Sequence, residues 1–436
     1  MNDSPLPPLT RRQRYGVLLA AFLAWMFAGL EISLFVLIHR QMTLELLGAG
    51  APEKDVTRWF TWFQAAFLFG AAGGGWLFGF LGDKLGRTRA LGAGVLCYSL
   101  FTLACYFVRS PELMLAVRFL ACLGVGGVWP NAVALVAEAW PNASRPFLAG
   151  LLGAAANVGF VLLGFIGYLF PVEAASWRWT FLVAASPALI GVLILALVPE
   201  SPRWLALREP RPQGRGSAPP ERSPLRAVLT PPLLSRTILG VMLGAIPVVG
   251  SAANANWLVP WTDHAQQERA RASGSDVKKP DPRSKAVTQM TRSGGAVFGS
   301  LLGGILASAL GRRFSFFLIS LGALAASTYI FSQLDPLHPR FQLFTFILGF
   351  VGITYFGWLP LFLPELFPTR VRSTGTGISF NTGRVVAAIV VLSAGFLLDQ
   401  FVGDYSQVGL WSGMIYGVGM LVIWFVPRET GGKLED

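Results

Sequence analysis

Three ionisable side chains stand inside long apolar runs: Glu31 amid Leu30, Ile32 and Leu34, Arg118 near the start of a run over 113–137, and Arg384 ten residues into a run over 374–398. A charge in such surroundings is costly unless it is paired or faces water, so each is a candidate for chemistry. A carboxylate poised between burial and a neighbouring guanidinium can load and release a proton as its surroundings change. Glu31 is therefore the candidate proton carrier. Arginine suits a planar carboxylate because its donors form a rigid fork. Arg118 and Arg384 are therefore candidate contacts for an organic anion, with pairing to Glu31 as the alternative role for either. Asn157, Asn254, Asn256, Trp257, Tyr355, Trp358 and Asn381 fall in other apolar runs. Hydrogen bonding and stacking in a central cavity is one role for them, and helix packing is the other. Arg292, near the outer end of its run, reads as an interfacial side chain.

A second constellation is written twice. Gly79 to Arg89 reads GFLGDKLGRTR and Gly304 to Arg313 reads GILASALGRR. Glu138, Pro141 and Arg145 return with the same internal spacing as Glu365, Pro368 and Arg372. Both copies end long apolar runs, which marks a duplicated half-chain. The charges in and near these turns are Asp83, Arg87, Arg89, Glu138, Arg145, Glu200 and Arg203 in the first half. Arg312, Arg313, Glu365, Arg372 and Glu429 match them in the second.

The elements that must carry these residues follow from composition. The chain has 436 residues, 53% hydrophobic and 13% charged, where a soluble domain carries about 25% charged residues. Its 33 Phe and 14 Trp suit lipid tails and interfaces. The net charge of +12 does not indicate nucleic acid, because the basic residues are strung along loops with no stacking platform among them. Runs of about 20 apolar residues, the length that spans a bilayer, lie near 15–38, 57–81, 90–108, 113–137, 147–170 and 177–198. Six more lie near 236–261, 286–309, 314–333, 341–363, 374–398 and 408–427. The expected fold is an all-α membrane protein of twelve transmembrane helices in two six-helix bundles related by the repeat. The bundles are expected over 1–198 and 236–436, joined by a Pro- and Arg-rich linker over 199–235 whose stretch from Glu209 to Pro224 should be disordered. Placing both termini inside puts most loop Lys and Arg on the cytoplasmic side. The exception is the basic outer stretch from Asp263 to Lys285, which is expected to continue the seventh helix past the membrane and then fold back.

Other chemistries find no residues. His39, His264 and His338 show no metal spacing, and no G-x-x-x-x-G-K-[ST] loop is present. No cofactor is expected, and no nucleophile–base pair marks an enzyme. Cys97, Cys105 and Cys122 fall in predicted helices as packing residues. Arg11-Arg12 precedes a run too long for a signal peptide. Asn142-Ala143-Ser144 matches a glycosylation site but falls on the inner side.

At the repeated turns the chain resembles the major facilitator superfamily over nearly all its length. Gly79, Leu81, Gly82, Asp83, Lys84, Gly86, Arg87 and Thr88 are similar to that family's turn between helices 2 and 3. Arg118 with Gly124, Gly126 and Gly127 resembles its fourth-helix signature. Glu200-Ser201-Pro202-Arg203-Trp204, Trp177-Arg178-Trp179 and the closing Pro427, Glu429, Thr430 and Gly431 resemble the sugar-porter and metabolite:proton symporter branches. Gly126-Gly127-Val128-Trp129-Pro130 through Glu138-Ala139-Trp140-Pro141 is most similar to sialate and aromatic-acid:proton symporters. The resemblance implies that the turn charges form ion pairs across the halves, closing the inner side and breaking when it opens. Anchoring without gating is the alternative.

The chain departs from these branches in places. Where sugar porters carry paired Gln and Tyr in helix 7, this chain reads Gly250-Ser251-Ala252-Ala253-Asn254-Ala255-Asn256-Trp257. Of two acids three apart in helix 1 of the acid symporters, only Glu31 is kept, with Ala28 at the other position. Val128 stands where those symporters often have Glu, and Ser308 stands where the first repeat has Asp83. The expected function is secondary transport of a small polar solute, an organic anion, coupled to protons by alternating access. The expected setting is the cell (inner) membrane, as a monomer in lipid. A sugar or polyol:proton symporter or facilitator is one alternative, and a non-transporting solute receptor or sensor is another.

Overall fold

The structure, a computed structural model, describes residues 9–48, 50–140, 145–170, 172, 177–208, 223–272, 283–400 and 405–426. Among these, secondary structure is helical, with no strand. In the first half α1 is Arg11–Leu47, α2 Glu53–Leu85, α3 Arg87–Cys105, α4 Pro111–Ala139, α5 Arg145–Leu169 and α6 Trp179–Leu197. In the second half α7 is Leu234–Arg269, α8 Ser284–Ala309, α9 Arg312–Gln333, α10 Phe341–Leu366, α11 Thr369–Ser393 and α12 Tyr405–Phe425. This is the expected pair of six-helix bundles. The stretch 209–222 of the linker lies outside the described residues. Its flanks form short helices, Pro202–Ala206 and Pro224–Val228, each with proline at its first turn.

Eleven of the twelve helices are long and apolar enough to cross a membrane. The expectation that 286–309 is an apolar run needs correction. Helix α8 has 26 residues, ample for a hydrocarbon core of about 30 Å, but it is too polar to join the eleven. Its Lys285, Thr288, Gln289, Arg292, Ser293 and Ser300 are buried in protein. Phe298, Leu302 and Ile305 on its other face are exposed, so the helix is apolar toward its surroundings and polar toward the bundle.

Glycine sets how closely α8 packs. Gly295, Gly299 and Gly303 lie against the carbonyls of Phe346, Phe350 and Thr354 on α10, so near that a Cβ would overlap them. Small residues at a four-residue spacing let membrane helices approach in this way. Gly299→Leu is therefore expected to push the helices apart at a cost of about 1–3 kcal/mol or more. It should lower the melting temperature of the detergent-purified protein by several degrees. Gly294→Leu is the control, because a Cβ there meets nothing within 4 Å. Equal melting of the two variants would refute the packing argument.

Helix α7 is broken where it passes the middle of the bundle. Pro247 precedes a π-helical turn, Gly250–Asn254, and a 3-10 turn, Ala255–Trp257. Proline removes one helical hydrogen bond and the wider turn absorbs an extra residue. Beyond the break the helix runs on to Ala272, so the charged stretch after Asp263 begins as a continuation of α7. The halves meet along two seams, α2 against α11 and α5 against α8.

Candidate functional site

Between the seams lies a cavity of about 80 Å³. Helices α1, α2, α5, α7, α8, α10 and α11 all contribute to its wall. The wall is mostly apolar, with Trp25, Phe67, Phe160, Phe356 and Phe380 among its side chains. Its polar members are Asn157, Ser251, Asn256, Arg292 and Arg384, and it contains no Asp or Glu.

Arg384 reaches this wall from α11, as expected. It is only 4% exposed, with its guanidinium 5.1 Å from the Phe380 ring centre and 5.5 Å from that of Phe67. Its Nη1 is buried with no hydrogen-bond partner. Arg292 corrects the sequence reading. It is not interfacial but 4% exposed on the cavity wall, donating from Nη1 to Asn256 Oδ1 at 2.8 Å, with its Nε buried and unpartnered. The signal that marks it is the spacing of Lys285, Gln289, Arg292 and Ser293, which share one helical face. Asn157 and Asn256 also line the cavity.

Glu31 and Arg118 form a buried ion pair between α1 and α4. The Thr102 hydroxyl of α3 approaches Glu31 Oε1 at 3.5 Å, and the Arg118 guanidinium sits 3.9 Å over the Phe35 ring. Arg118 is thus absent from the cavity wall, and its charge is cancelled by Glu31. The expectation that Arg118 contacts a substrate is corrected to its alternative, pairing with Glu31. The pair lies directly behind the wall, since Ile32, the next residue of α1, is part of that wall.

Five further candidates are directed elsewhere. Asn254 donates to the Gly409 carbonyl at 2.7 Å and accepts from Ser327 Oγ at 3.1 Å, tying α7 to α9 and α12. The Tyr355 hydroxyl meets Ser320 Oγ at 2.7 Å, and Trp358 Nε1 donates to the Arg312 carbonyl at 3.1 Å, both inside the second bundle. Asn381 donates to the Gly377 carbonyl at 3.0 Å and packs on Gly75 of α2, in the seam. Trp257 lies at the end of the bundle opposite the termini, its ring 6.1 Å from Phe60 of α2 and 5.9 Å from Tyr405. The polar groups of the first four bond to other helices or to their own backbone, and Trp257 packs through its ring, with its indole N–H unpartnered among the described residues.

The repeated turns do meet across the halves. Glu138 is buried between Arg87, whose Nε donates to it at 3.2 Å, and Arg372 of the second half, whose Nη1 donates at 2.9 Å. Arg87 Nη2 donates again at 3.3 Å, and Ser201 Oγ donates a fourth hydrogen bond. Asp83 pairs with Arg87 at 3.1 Å and accepts from the backbone N–H groups of Ser373 and Thr374, at 3.3 and 2.7 Å. These donors belong to the first turns of α11, where a helix favours negative charge. Glu200 instead caps α3, accepting from the backbone N–H of Arg87 at 2.8 Å and of Thr88. The neighbouring Gly86, at φ 118°, leaves room for that carboxylate. In the second half Arg312 pairs with Glu365 at 3.1 Å, the repeat's counterpart of Arg87 with Glu138. Arg313 donates to the Val426 carbonyl, and Arg203 is half-buried on its short helix. Arg89 is exposed on α3 and stands outside the cluster. Arg145 begins α5, but its side chain, like Glu429 and the rest of 427–436, lies outside what is described.

Asp83 and Phe60 stand at opposite ends of α2, about 35 Å apart along the helix, with Phe67 of the cavity wall between them. Contacts between the halves therefore stand at both ends of the cavity. A larger cleft, about 360 Å³, opens near Lys84, Trp204, Arg208 and Arg370. It lies beside Asp83 of the charge cluster, is of mixed polar and apolar lining, and is open to solvent. The buried arginines that make the central cavity unusual are not part of it.

The sequence profile of the Major Facilitator Superfamily matches residues 17–270, and that of the sugar (and other) transporter group matches residues 277–436. A probable 4-methylmuconolactone transporter of Cupriavidus pinatubonensis is 28% identical over 96% of this chain and 91% of its own. A cis,cis-muconate transport protein of Acinetobacter baylyi is 27% identical over 87% of this chain and 86% of its own. Among solved structures, the proton:xylose symporter XylE superposes with a TM-score of 0.74 at 17% identity, covering 98% of both chains. At that identity the likeness is one of fold.

Proposed function

Because the chain belongs to the major facilitator superfamily, we propose that it carries a small organic anion across the membrane by alternating access, with Glu31 as the proton carrier. The observation that carries this reading is the cavity wall, which holds two buried guanidiniums and no carboxylate. Charges sealed in a low-dielectric site demand a counter-charge, and a bound anion provides one. The two relatives, a probable lactone transporter and a muconate transport protein, agree with a carboxylate-bearing or closely related solute. A neutral sugar would leave both arginines unanswered.

The duplicated bundles, over 1–198 and 236–436 with the linker 199–235 between them, are the rocking bodies. The loop charge bias supports cytoplasmic termini, and on that reading the Glu138 cluster is the inner gate and the Phe60–Trp257 contact belongs to the outer one. The pair Glu31–Arg118 is adjacent to the cavity but outside its wall, so a proton arriving at Glu31 frees Arg118 without entering the solute site.

Arg384→Gln is expected to weaken binding of organic carboxylates by roughly 1.5–3 kcal/mol, the value of a charge-assisted hydrogen bond. Ligand-induced thermal shift of the purified protein, run with organic anions, neutral sugars and cations, measures this. Stabilisation of parent and Arg384→Gln alike by a neutral sugar would overturn the reading. Proteoliposome uptake separates a transporter from a receptor of the same fold, because a receptor binds without accumulating.

A further inference from the structure

The cavity holds more positive charge than one carboxylate answers. Arg384 on α11 and Arg292 on α8 share one wall that has no Asp or Glu. Neither appears in an ion pair among the described residues, and each keeps a buried nitrogen without a partner. The one neighbouring carboxylate, Glu31, is already committed to Arg118. The site therefore presents two uncompensated cations to whatever fills it.

We propose that the substrate is a dicarboxylate, seated with one carboxylate on Arg384 and the other on Arg292, its carbon body lying against Phe67, Phe160, Phe356 and Phe380. This rests on the organic-anion reading above and sharpens it to a dianion. Size fits. At about 10–15 Å³ per water, the cavity of about 80 Å³ has room for roughly five to eight waters, comparable to a short dicarboxylic acid. The aromatic wall favours a carbon chain over an inorganic dianion, since carbon gains from leaving water and phosphate does not.

Asn256 explains how Arg292 stays available. Its amide oxygen accepts from Nη1 at 2.8 Å. This fixes the guanidinium without neutralising it, and leaves the unpartnered Nε for a ligand. An aspartate at the same place would hold the arginine equally well and cancel its charge. Asn256 is in this sense a specificity-determining residue, set on the broken segment of α7 that faces the cavity.

The test compares straight-chain dicarboxylates of four to eight carbons with monocarboxylates of equal carbon count, and with inorganic phosphate, by binding titration of the purified full-length protein. Wild type should bind one dicarboxylate at least about tenfold tighter than its monocarboxylate match, the worth of one charge-assisted contact. Asn256→Asp, which is isosteric and should fold, is expected to bring that preference to within about twofold. Arg292→Gln should do the same, and Arg384→Gln should weaken both ligand classes. Equal binding of the two classes by wild type, a preference that survives Asn256→Asp, or phosphate competing as well as the best dicarboxylate would each overturn the proposal. If monocarboxylates bind without a dicarboxylate preference, only this inference fails. If no carboxylate of either kind binds, the organic-anion reading fails with it.

Discussion

Glu138→Gln is expected to drive the protein out of the arrangement described here by a factor of a hundred or more. Glu138 lies between two guanidiniums that are fully buried, Arg87 of the first half and Arg372 of the second. Removing one member of a buried ion pair costs about 3–5 kcal/mol, because the partner stays behind as an uncompensated charge. Arg87 would still have Asp83. Arg372 would lose its carboxylate in the opposite half and retain neutral acceptors such as the Thr369 hydroxyl at 3.0 Å and the Pro364 carbonyl at 3.4 Å. Since Arg372 comes from the opposite half, the penalty falls on the state in which the halves meet, and their separation admits water to relieve it. At about 1.4 kcal/mol per tenfold, the population shifts by two orders of magnitude or more. A single cysteine in place of Ser251 on the cavity wall, in a background without Cys97, Cys105 and Cys122, reports the opening. Its labelling by a hydrophilic maleimide applied at the gate side should accelerate strongly. Glu45→Gln is the control, because its partner Arg178 lies in the same half and both are partly exposed, so that pair is worth about 0–1 kcal/mol. Equal labelling in the two variants would reduce the cluster to an anchor. Asp83→Asn should give a smaller change in the same direction, since the amide can still accept from one of the two backbone donors at α11.

Glu31→Gln is expected to abolish accumulation driven by a pH gradient while leaving counterflow exchange largely intact. Exchange needs only that the loaded bundles rock, whereas accumulation needs a group that titrates between the two faces. The structure adds a reason for choosing glutamine. Arg118 is wholly buried against the Phe35 ring, so truncation of Glu31 would leave a bare cation and endanger folding, but an amide oxygen still accepts from it. Proteoliposomes loaded with solute and assayed with and without a proton gradient measure both quantities in one preparation. Gradient-driven accumulation by the variant equal to that of the parent would remove Glu31 from the coupling role.

Much of the molecule was legible from residue order alone. Apolar runs of spanning length are a local property, so the helices and their number follow from the chain itself. The repeat did the same for the two halves, and the pairing of Arg87 with Glu138 has its counterpart in Arg312 with Glu365 because duplicated segments fold alike. Ionisable residues in the apolar runs also pointed to a candidate site, and in the structure Arg384 lines the central cavity while Glu31 lies beside it.

Which partner each charge takes was decided only in three dimensions. Glu31 had two arginines to choose from, and the crossing of α1 over α4 assigns it Arg118. That choice empties the cavity of negative charge and leaves Arg384 unneutralised. Arg292 was misread for the same reason. Nearness to a helix end suggests an interface, but the glycine contacts of α8 with α10 fix which face of the helix turns inward, and Arg292 lies on that face. Asn254 and Asn256 are two residues apart, yet the break in α7 sends one to the packing between helices and the other to the cavity. Direction around a helix axis depends on how neighbouring helices pack and where the backbone departs from regular geometry, and those are properties of the assembled bundle.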